Sequence, residues 1–282
     1  MGAGRAALTN LRARAGRLKR RVVPEPRLIV VATHGGLGNK LKALVSALRL
    51  SDSVAAVYPT FTPLLENDIP VLESIPRRCR VFSDWRFVLT PDDALPDDFA
   101  SVPILEVGEV EPRIPVGRSI DLEYERVPAH LREAFLAAFA KLRIRPEVEQ
   151  AAASVVGSWP PGTIAVHVRS WAESNFRRST LFDLERVFHA VDASGAESLF
   201  VSSDSAEVLD EFRRRYGLRV LTGGDDRALA HSVHEEDEQV VVRAFVDMLC
   251  LSRGEALIGS YLSTFCECAW WLGGCRQDVA IV

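Results

Sequence analysis

The 282-residue sequence has no apolar run approaching the roughly 20 residues that a membrane-spanning helix needs. Its first residues also lack the apolar core of about 7–15 residues that marks a secretory signal. Cysteine is scarce. There are five, an odd number without regular spacing, which argues against a disulfide framework and for reduced thiols in a cytoplasm. Cys266-Glu267-Cys268 forms a CxC with no second cysteine pair or nearby histidine, so no zinc set is complete and the motif reads as structural. An excess of positive charge is missing too. The formal net charge is −4, which speaks against a general nucleic-acid role. No repeat of solenoid length and no low-complexity tract occur.

What is present suits an ordinary globular protein: 48% hydrophobic and 26% charged residues. The length allows two modest α/β domains or one large one. Residues 1–24 form a basic tail. Leu8, Leu11, Ala15 and Leu18 follow helical spacing between arginines and lysines, so the tail is either a peripheral anchor on an anionic membrane face or a frayed basic end. Pro24 and Pro26 close it.

Residues 27–33 are rich in β-branched side chains and read as a buried strand. His34-Gly35-Gly36-Leu37-Gly38-Asn39-Lys40 follows, and then Leu41, Leu44, Val45 and Leu48 mark a helix, with Asn39 as its candidate cap. A strand, a glycine turn and a helix start make an anion or nucleotide cradle, because the helix N-terminus offers free N–H groups. The pattern is not a Walker A loop, which requires GxxxxGK[ST]. Nor is it a dinucleotide fingerprint, since Leu41 stands at the third glycine and no acid follows the next strand, Val54–Tyr58. Prolines then break residues 60–113 into short pieces, with strands expected at Val81-Phe82 and Arg86–Leu89. A helix is expected over Ala129–Leu142, and Trp159-Pro160-Pro161-Gly162 marks the expected domain boundary. This divides the chain into an N-terminal Rossmann-like domain, 25–158, and a C-terminal one, 159–282.

The second half alternates regularly. Strands are expected at 163–168, 198–202, 218–221, 256–258 and 279–282, with helices at 181–193, 205–215, 238–252 and 264–272. That order predicts a parallel sheet with helices on both faces. Ligands in such sheets bind at the strands' C-terminal ends. Residues at those ends are therefore candidates. His167 and Arg169 end one strand, and Glu173, Arg177 and Arg178 share the loop that follows. Several guanidinium forks suit a phosphate-bearing ligand, or they simply meet water and surface carboxylates. Asp204 ends the next strand, within reach of a ribose or base, or it caps a helix with Ser205 as the alternative cap. Asp247 lies off the apolar stripe of its helix, four residues after Arg243, with which an i,i+4 ion pair is the plain reading. Ser260, Ser263 and Thr264 gather hydroxyls at another helix start, where a phosphate fits or Ser263 or Thr264 simply caps.

In order along the chain, GGLGNK with KLKALVSALRL, IAVHVRS, FVSSD and FVDMLCLSRGEALIGSYLSTF resemble the fucosyltransferase superfamily. That superfamily includes the bacterial nodulation α-1,6-fucosyltransferases, the core fucosyltransferase and the protein O-fucosyltransferases. The resemblance implies an α/β, GT-B-like architecture: two Rossmann-like domains facing across a cleft, with GDP-fucose mainly on the C-terminal half. It implies that Arg169 grips the donor diphosphate; we expect this arginine to lie in a cleft where no other partner depends on it. It places His167 and Asp247 near the guanosine, Ser263 and Thr264 near the phosphates, and Asn39 with Gly35, Gly36 and Gly38 facing the sugar and diphosphate. Two positions depart from the pattern. Lys40 stands where glutamine is usual, and Ser170 where the α-1,6 enzymes carry a second arginine.

No two aspartates are spaced i,i+2, so the metal-holding DxD of many nucleotide-sugar transferases is missing and no metal or other cofactor is expected. Arginines and helix dipoles would then stabilise the departing diphosphate. The expected reaction is an inverting transfer to a glycan or other hydroxyl acceptor, with Arg169, Asn39 and Glu173 catalytic and Glu173 the nearest base. The alternatives are a transferase of another nucleotide sugar, or a non-catalytic nucleotide-sugar or glycan-binding protein of the same fold.

Overall fold

The computed structural model describes residues 28–77, 79–83, 86–90, 92–95, 101–103, 118–120, 127–171, 174–223 and 237–282. The basic tail therefore lies outside the described residues, and so does Glu173.

The first half opens with strand β1 (Ile29–Val31), helix α1 (Leu37–Leu50), β2 (Val54–Ala56), a 3-10 turn (Pro59–Phe61) and β3 (Arg80–Phe82). These strands form a parallel sheet in the order β2-β1-β3. Strands β4 (Phe87–Leu89), β5 (Ser101–Pro103) and β6 (Arg118–Ile120) form a small antiparallel sheet, ordered β4-β6-β5. Helices α2 (Ala129–Phe139) and α3 (Pro146–Val156) follow.

The second half runs β7 (Ile164–Val168), α4 (Asn175–Leu181), α5 (Leu184–Ser194), β8 (Leu199–Ser203), α6 (Ala206–Tyr216), β9 (Val220–Leu221), α7 (Glu238–Leu251), β10 (Ala256–Gly259), α8 (Thr264–Leu272) and β11 (Asp278–Ile281). Its five strands are parallel, in the order β11-β10-β7-β8-β9. The chain thus runs outward from β7 through β8 and β9. It then crosses back to lay β10 on the other side of β7. That reversal makes the C-terminal ends of β7 and β10 a topological switch point, the place where open parallel sheets form a ligand-binding crevice.

The central strands of both parallel sheets are buried on both faces, and the side-chain period of two shows it. In β1, Ile29 and Val31 enter one hydrophobic cluster while Val30 and Ala32 enter another. In β7, Ala165 joins the first cluster, and Ile164, Val166 and Val168 join a third with Val187, Phe212 and Tyr216. The first cluster is the link between the halves. It contains Leu41 and Leu44 of α1, Phe135 and Phe139 of α2, Ala152 of α3, Phe245 and Leu249 of α7, and Cys268 and Trp271 of α8. Helices α1 and α8 pack directly, as do α3 and α7. Trp271 stacks on Phe139 at 5.8 Å and meets the edge of Phe87 at 5.5 Å.

Inside this apolar contact sits an ion pair. Lys42 Nζ donates to Glu267 Oε2 at 2.6 Å, and Trp271 Nε1 donates to Glu267 Oε1 at 3.3 Å. Cys266 and Cys268 are buried thiols of α8, and the Cys268 Sγ–H points at Gly38 O, 3.4 Å away. Burial in apolar surroundings pushes the Cys268 thiol pKa well up.

Candidate active site

The crevice is assembled from backbone register. His167 pairs with Gly259 across β7 and β10. Ser260 N donates to His167 O at 3.2 Å, and Arg169 N donates to Ser260 Oγ at 2.9 Å. Arg169, Ser260 and His167 are therefore brought together as the chemistry of the sequence suggested, with Ser263 beside them. Ser263 caps α8, its Oγ accepting from Cys266 N at 3.4 Å, and lies 3.3 Å from His167 Nδ1. His167 is buried and stacks on Phe265 with 4.9 Å between centroids.

Helix α1 delivers the glycine turn to the same place. Thr264 Oγ1 donates to Asn39 Oδ1 at 2.6 Å, so the starts of α1 and α8 are tied together. Gly38 makes this possible: a Cβ there would lie 2.6 Å from the Thr264 carbonyl carbon. Gly35 adopts φ +107°, a conformation that L side chains rarely adopt, and its Cβ position would lie 2.5 Å from Asn39 Nδ2. Asn39 is not the cap that the sequence suggested. The helix starts at Leu37 with Gly36 in the cap position and no side-chain cap, which leaves Asn39 inside the first turn and free to bridge to α8.

Arg169 is not independent of its surroundings. Its Nη1 donates to Asp204 Oδ2, and Asp204 Oδ1 accepts from Ser170 N at 2.7 Å. The expectation that no residue depends on Arg169 is thus corrected, because Asp204 is buried and needs a cation. Asp204 does not cap the following helix either. Ser205 caps α6, accepting from Val208 N. Asp247 likewise differs from the plain reading. Its Oδ2 accepts from Ser202 Oγ at 2.9 Å, while Arg243 Nε donates to Gln239 O within its own helix. Burial pushes the Asp247 pKa up to about 6, against the smaller opposing effects of the Ser202 hydrogen bond and the Arg243 charge. The carboxylate lies beside β8 against Gly223, where an added Cβ would come within 2.1 Å of Asp247 Oδ1.

Two features went unread in the sequence. Trp171 carries φ +53° directly after Arg169 and Ser170, an uncommon conformation for a bulky residue. Arg169 and Arg177 both hold their guanidinium carbons near its ring, at 5.2 and 5.0 Å from the centroid. Trp171 Nε1 and Ser170 Oγ are buried there without a hydrogen-bond partner among the described residues. The second feature is on the glycine turn. Tyr58 OH lies 2.8 Å from His34 Nδ1, and Lys40 Nζ sits 4.6 Å from the Tyr58 ring centroid while donating to Thr60 Oγ1 at 3.1 Å. Burial lowers the Lys40 pKa to about 8. A histidine before a double glycine and a lysine in an apolar turn were the available signals.

No protein-family profile matches the sequence, and no curated protein matches it. Solved structures do. The selenomethionine form of the fucosyltransferase NodZ from Bradyrhizobium superposes with a TM-score of 0.51 at 19% identity, over 86% of this chain and 91% of that one. A second structure of NodZ from Bradyrhizobium gives 0.50 at 18% identity, over 86% and 92% of the two chains. This chain has the NodZ fold. POFUT1 in complex with GDP gives 0.46 at 15% identity, over 92% and 99%. The sequence blocks that carried the resemblance map onto the glycine turn and α1, the end of β7, the end of β8, and the α7-β10-α8 unit.

Proposed function

We propose that the chain is a glycosyltransferase of GT-B architecture that moves fucose from GDP-fucose to a hydroxyl of a glycan or glycoconjugate. One observation carries the reading. Arg169 is held by Asp204 at the β7–β10 crevice, beside the joined N-termini of α1 and α8. A guanidinium fork and two sets of outward N–H groups suit a diphosphate leaving group. As the bond from the anomeric carbon to the phosphate oxygen breaks, negative charge grows on that oxygen. Fixed dipoles and cations offset it without waiting for solvent to reorganise. The NodZ fold is that of a named fucosyltransferase, which agrees with the sugar.

In this reading residues 25–158 and 159–282 form the two Rossmann-like units, and the second holds most of the donor. His167 and Asp247 face the guanosine side. Ser260, Ser263 and Thr264 border the phosphates, with Gly35, Gly36, Gly38 and Asn39 opposite. Inversion follows from direct attack by the acceptor oxygen, and protein cations replace a divalent metal. The basic N-terminal tail supplies a peripheral contact with anionic membrane.

Calorimetry with GDP-fucose in excess chelator tests the donor and the metal together. Binding is expected to survive chelation and to exceed that of other nucleotide sugars. Binding lost on chelation would remove the metal-free mechanism, and a stronger response to another sugar nucleotide would remove fucose. A second reading, a nucleotide-sugar-binding protein without transfer, draws on Ser170. A wholly buried hydroxyl stands where the α-1,6 enzymes carry a cation. GDP release from bound GDP-fucose separates the two.

A further inference from the structure

Transfer to a hydroxyl needs a group that takes the acceptor's proton, and this inference rests on the transferase reading above. Among the described residues bordering the crevice, the acidic side chains are committed elsewhere. Asp204 serves Arg169, Glu267 serves Lys42 inside the core, and Asp247 accepts from Ser202 on the far side of β7 from β10. His167 is 2% exposed and enclosed by Ser263 and Phe265.

His34 is different. It is exposed, just past β1, the strand of the first sheet that leads into the glycine turn. The next residue, Gly35, lies against Asn39, and Asn39 is bonded to Thr264 at the start of α8. The imidazole is therefore carried by the turn that closes on the crevice. Its orientation is set from behind. Nδ1 meets Tyr58 OH at 2.8 Å, with the rings edge to face at 5.8 Å between centroids. Tyr58 is in turn backed by Lys40, which is anchored on Thr60. An exposed histidine has no structural need for such a scaffold.

We propose that His34 is the general base of the transfer, and that Tyr58 is a positioning residue. In the tautomer this requires, Nδ1–H donates to the Tyr58 oxygen and Nε2 presents its lone pair to the crevice. The acceptor O–H gives its proton to Nε2 as its oxygen bonds to the anomeric carbon. The bond from that carbon to the β-phosphate oxygen breaks, and the electron pair leaves with GDP. The imidazolium keeps the same Nδ1–H bond to Tyr58, so nothing has to rotate during the step. Among the described residues, Tyr58 is the titratable group bonded to this histidine, and Lys40 stands over the Tyr58 ring.

The experiment uses the full chain, GDP-fucose and water as acceptor, with GDP release as the signal and calorimetry for binding. His34→Gln is expected to keep the melting temperature and the Kd for GDP-fucose, and to lose about 10²–10⁴ in kcat. The acid limb of the kcat/KM profile should vanish in that variant, and imidazole should restore turnover to His34→Ala. Tyr58→Phe should lower kcat less and retain the limb. If His34→Gln keeps kcat and the acid limb while Glu173→Gln loses both, the base is the loop glutamate. His34 is then overturned with the transferase reading intact. Wild-type protein that binds GDP-fucose but releases no GDP overturns both.

Discussion

Lys42 and Glu267 meet at 2.6 Å with side chains 0% and 6% exposed, whereas Arg169 and Asp204 meet with 17% and 4%. The chemistry is the same and the setting is not. The first pair lies between α1 and α8 in the middle of the cluster that joins the two halves. Phe87 lies over the ammonium at 4.7 Å, and Trp271 hydrogen-bonds the carboxylate. It has no route to a ligand, so its role is to fix how α1 sits on α8. The second pair stands at the mouth of the sheet, where the carboxylate is deeper than the guanidinium. A buried acid here holds a more exposed cation in place, as the proposed diphosphate contact requires. On the proposed reading, burial of the cation, more than the presence of a pair, is what separates the two.

Removing one partner tests this at its strongest in the core. Lys42→Met strands a carboxylate in an apolar contact and should cost about 3–5 kcal/mol of stability in urea unfolding. Lys42→Met with Glu267→Met should recover most of that loss, because a well-packed apolar pair is often as stable as a buried ionic one. A double variant no better than the single would mean that the pair itself, and not the unmatched charge, carries the energy. GDP-fucose binding by the double variant should match wild type.

The crevice pair should behave the other way. Arg169→Lys keeps a cation for Asp204, so the melting temperature should move little. It loses the fork, so the Kd for GDP-fucose should weaken by at least about tenfold, roughly 1.4 kcal/mol. Arg169→Ala should lose binding and also stability, since Asp204 is then left without its cation. Lysine that restored full affinity would reduce Arg169 to a point charge.

Much of this frame could be read from the chain. The second-half strands and helices fall within a few residues of expectation because each combines a short apolar run with a polar turn. Helix α3 was missed because only Val148 and Ala152 are buried, too few to make a stripe. Helix α4 was missed because none of its residues is buried. The expected strand at 218–221 shrinks to Val220–Leu221 behind a 3-10 turn that leaves Leu218 wholly exposed. Within the site, Arg169, His167 and the α8 hydroxyls were legible because strand ends mark a crevice in any parallel sheet. Lys42 was not. A lysine on an amphipathic helix reads as solvent-facing, and its partner lies 225 residues away. The contact of His34 with Tyr58 was hidden for the same reason, since no local pattern joins a turn to the next strand's end.

Asp247 gives the finest test, because it is a buried carboxylate with a hydroxyl partner and no cation bonded to it among the described residues. The folded carboxyl holds its proton up to about pH 6, against an ordinary 3.8. Between those values folding takes up a proton, so the contribution of this group to stability falls as pH rises and stays at its low level above pH 6. A shift of that size corresponds to about 3 kcal/mol. Asp247→Asn removes the titration. Its stability should therefore equal or exceed wild type at pH 7.5, with the advantage shrinking toward pH 4. Arg243→Ala should leave that pH dependence in place and deepen it slightly, since the arginine charge opposes the upward shift. The kinetic result is separate. If Asp247 meets the guanine edge or ribose, the amide turns one acceptor into a donor, and the KM for GDP-fucose rises while stability does not fall. A KM unchanged by Asp247→Asn would confine the carboxylate to Ser202 and remove it from the donor site.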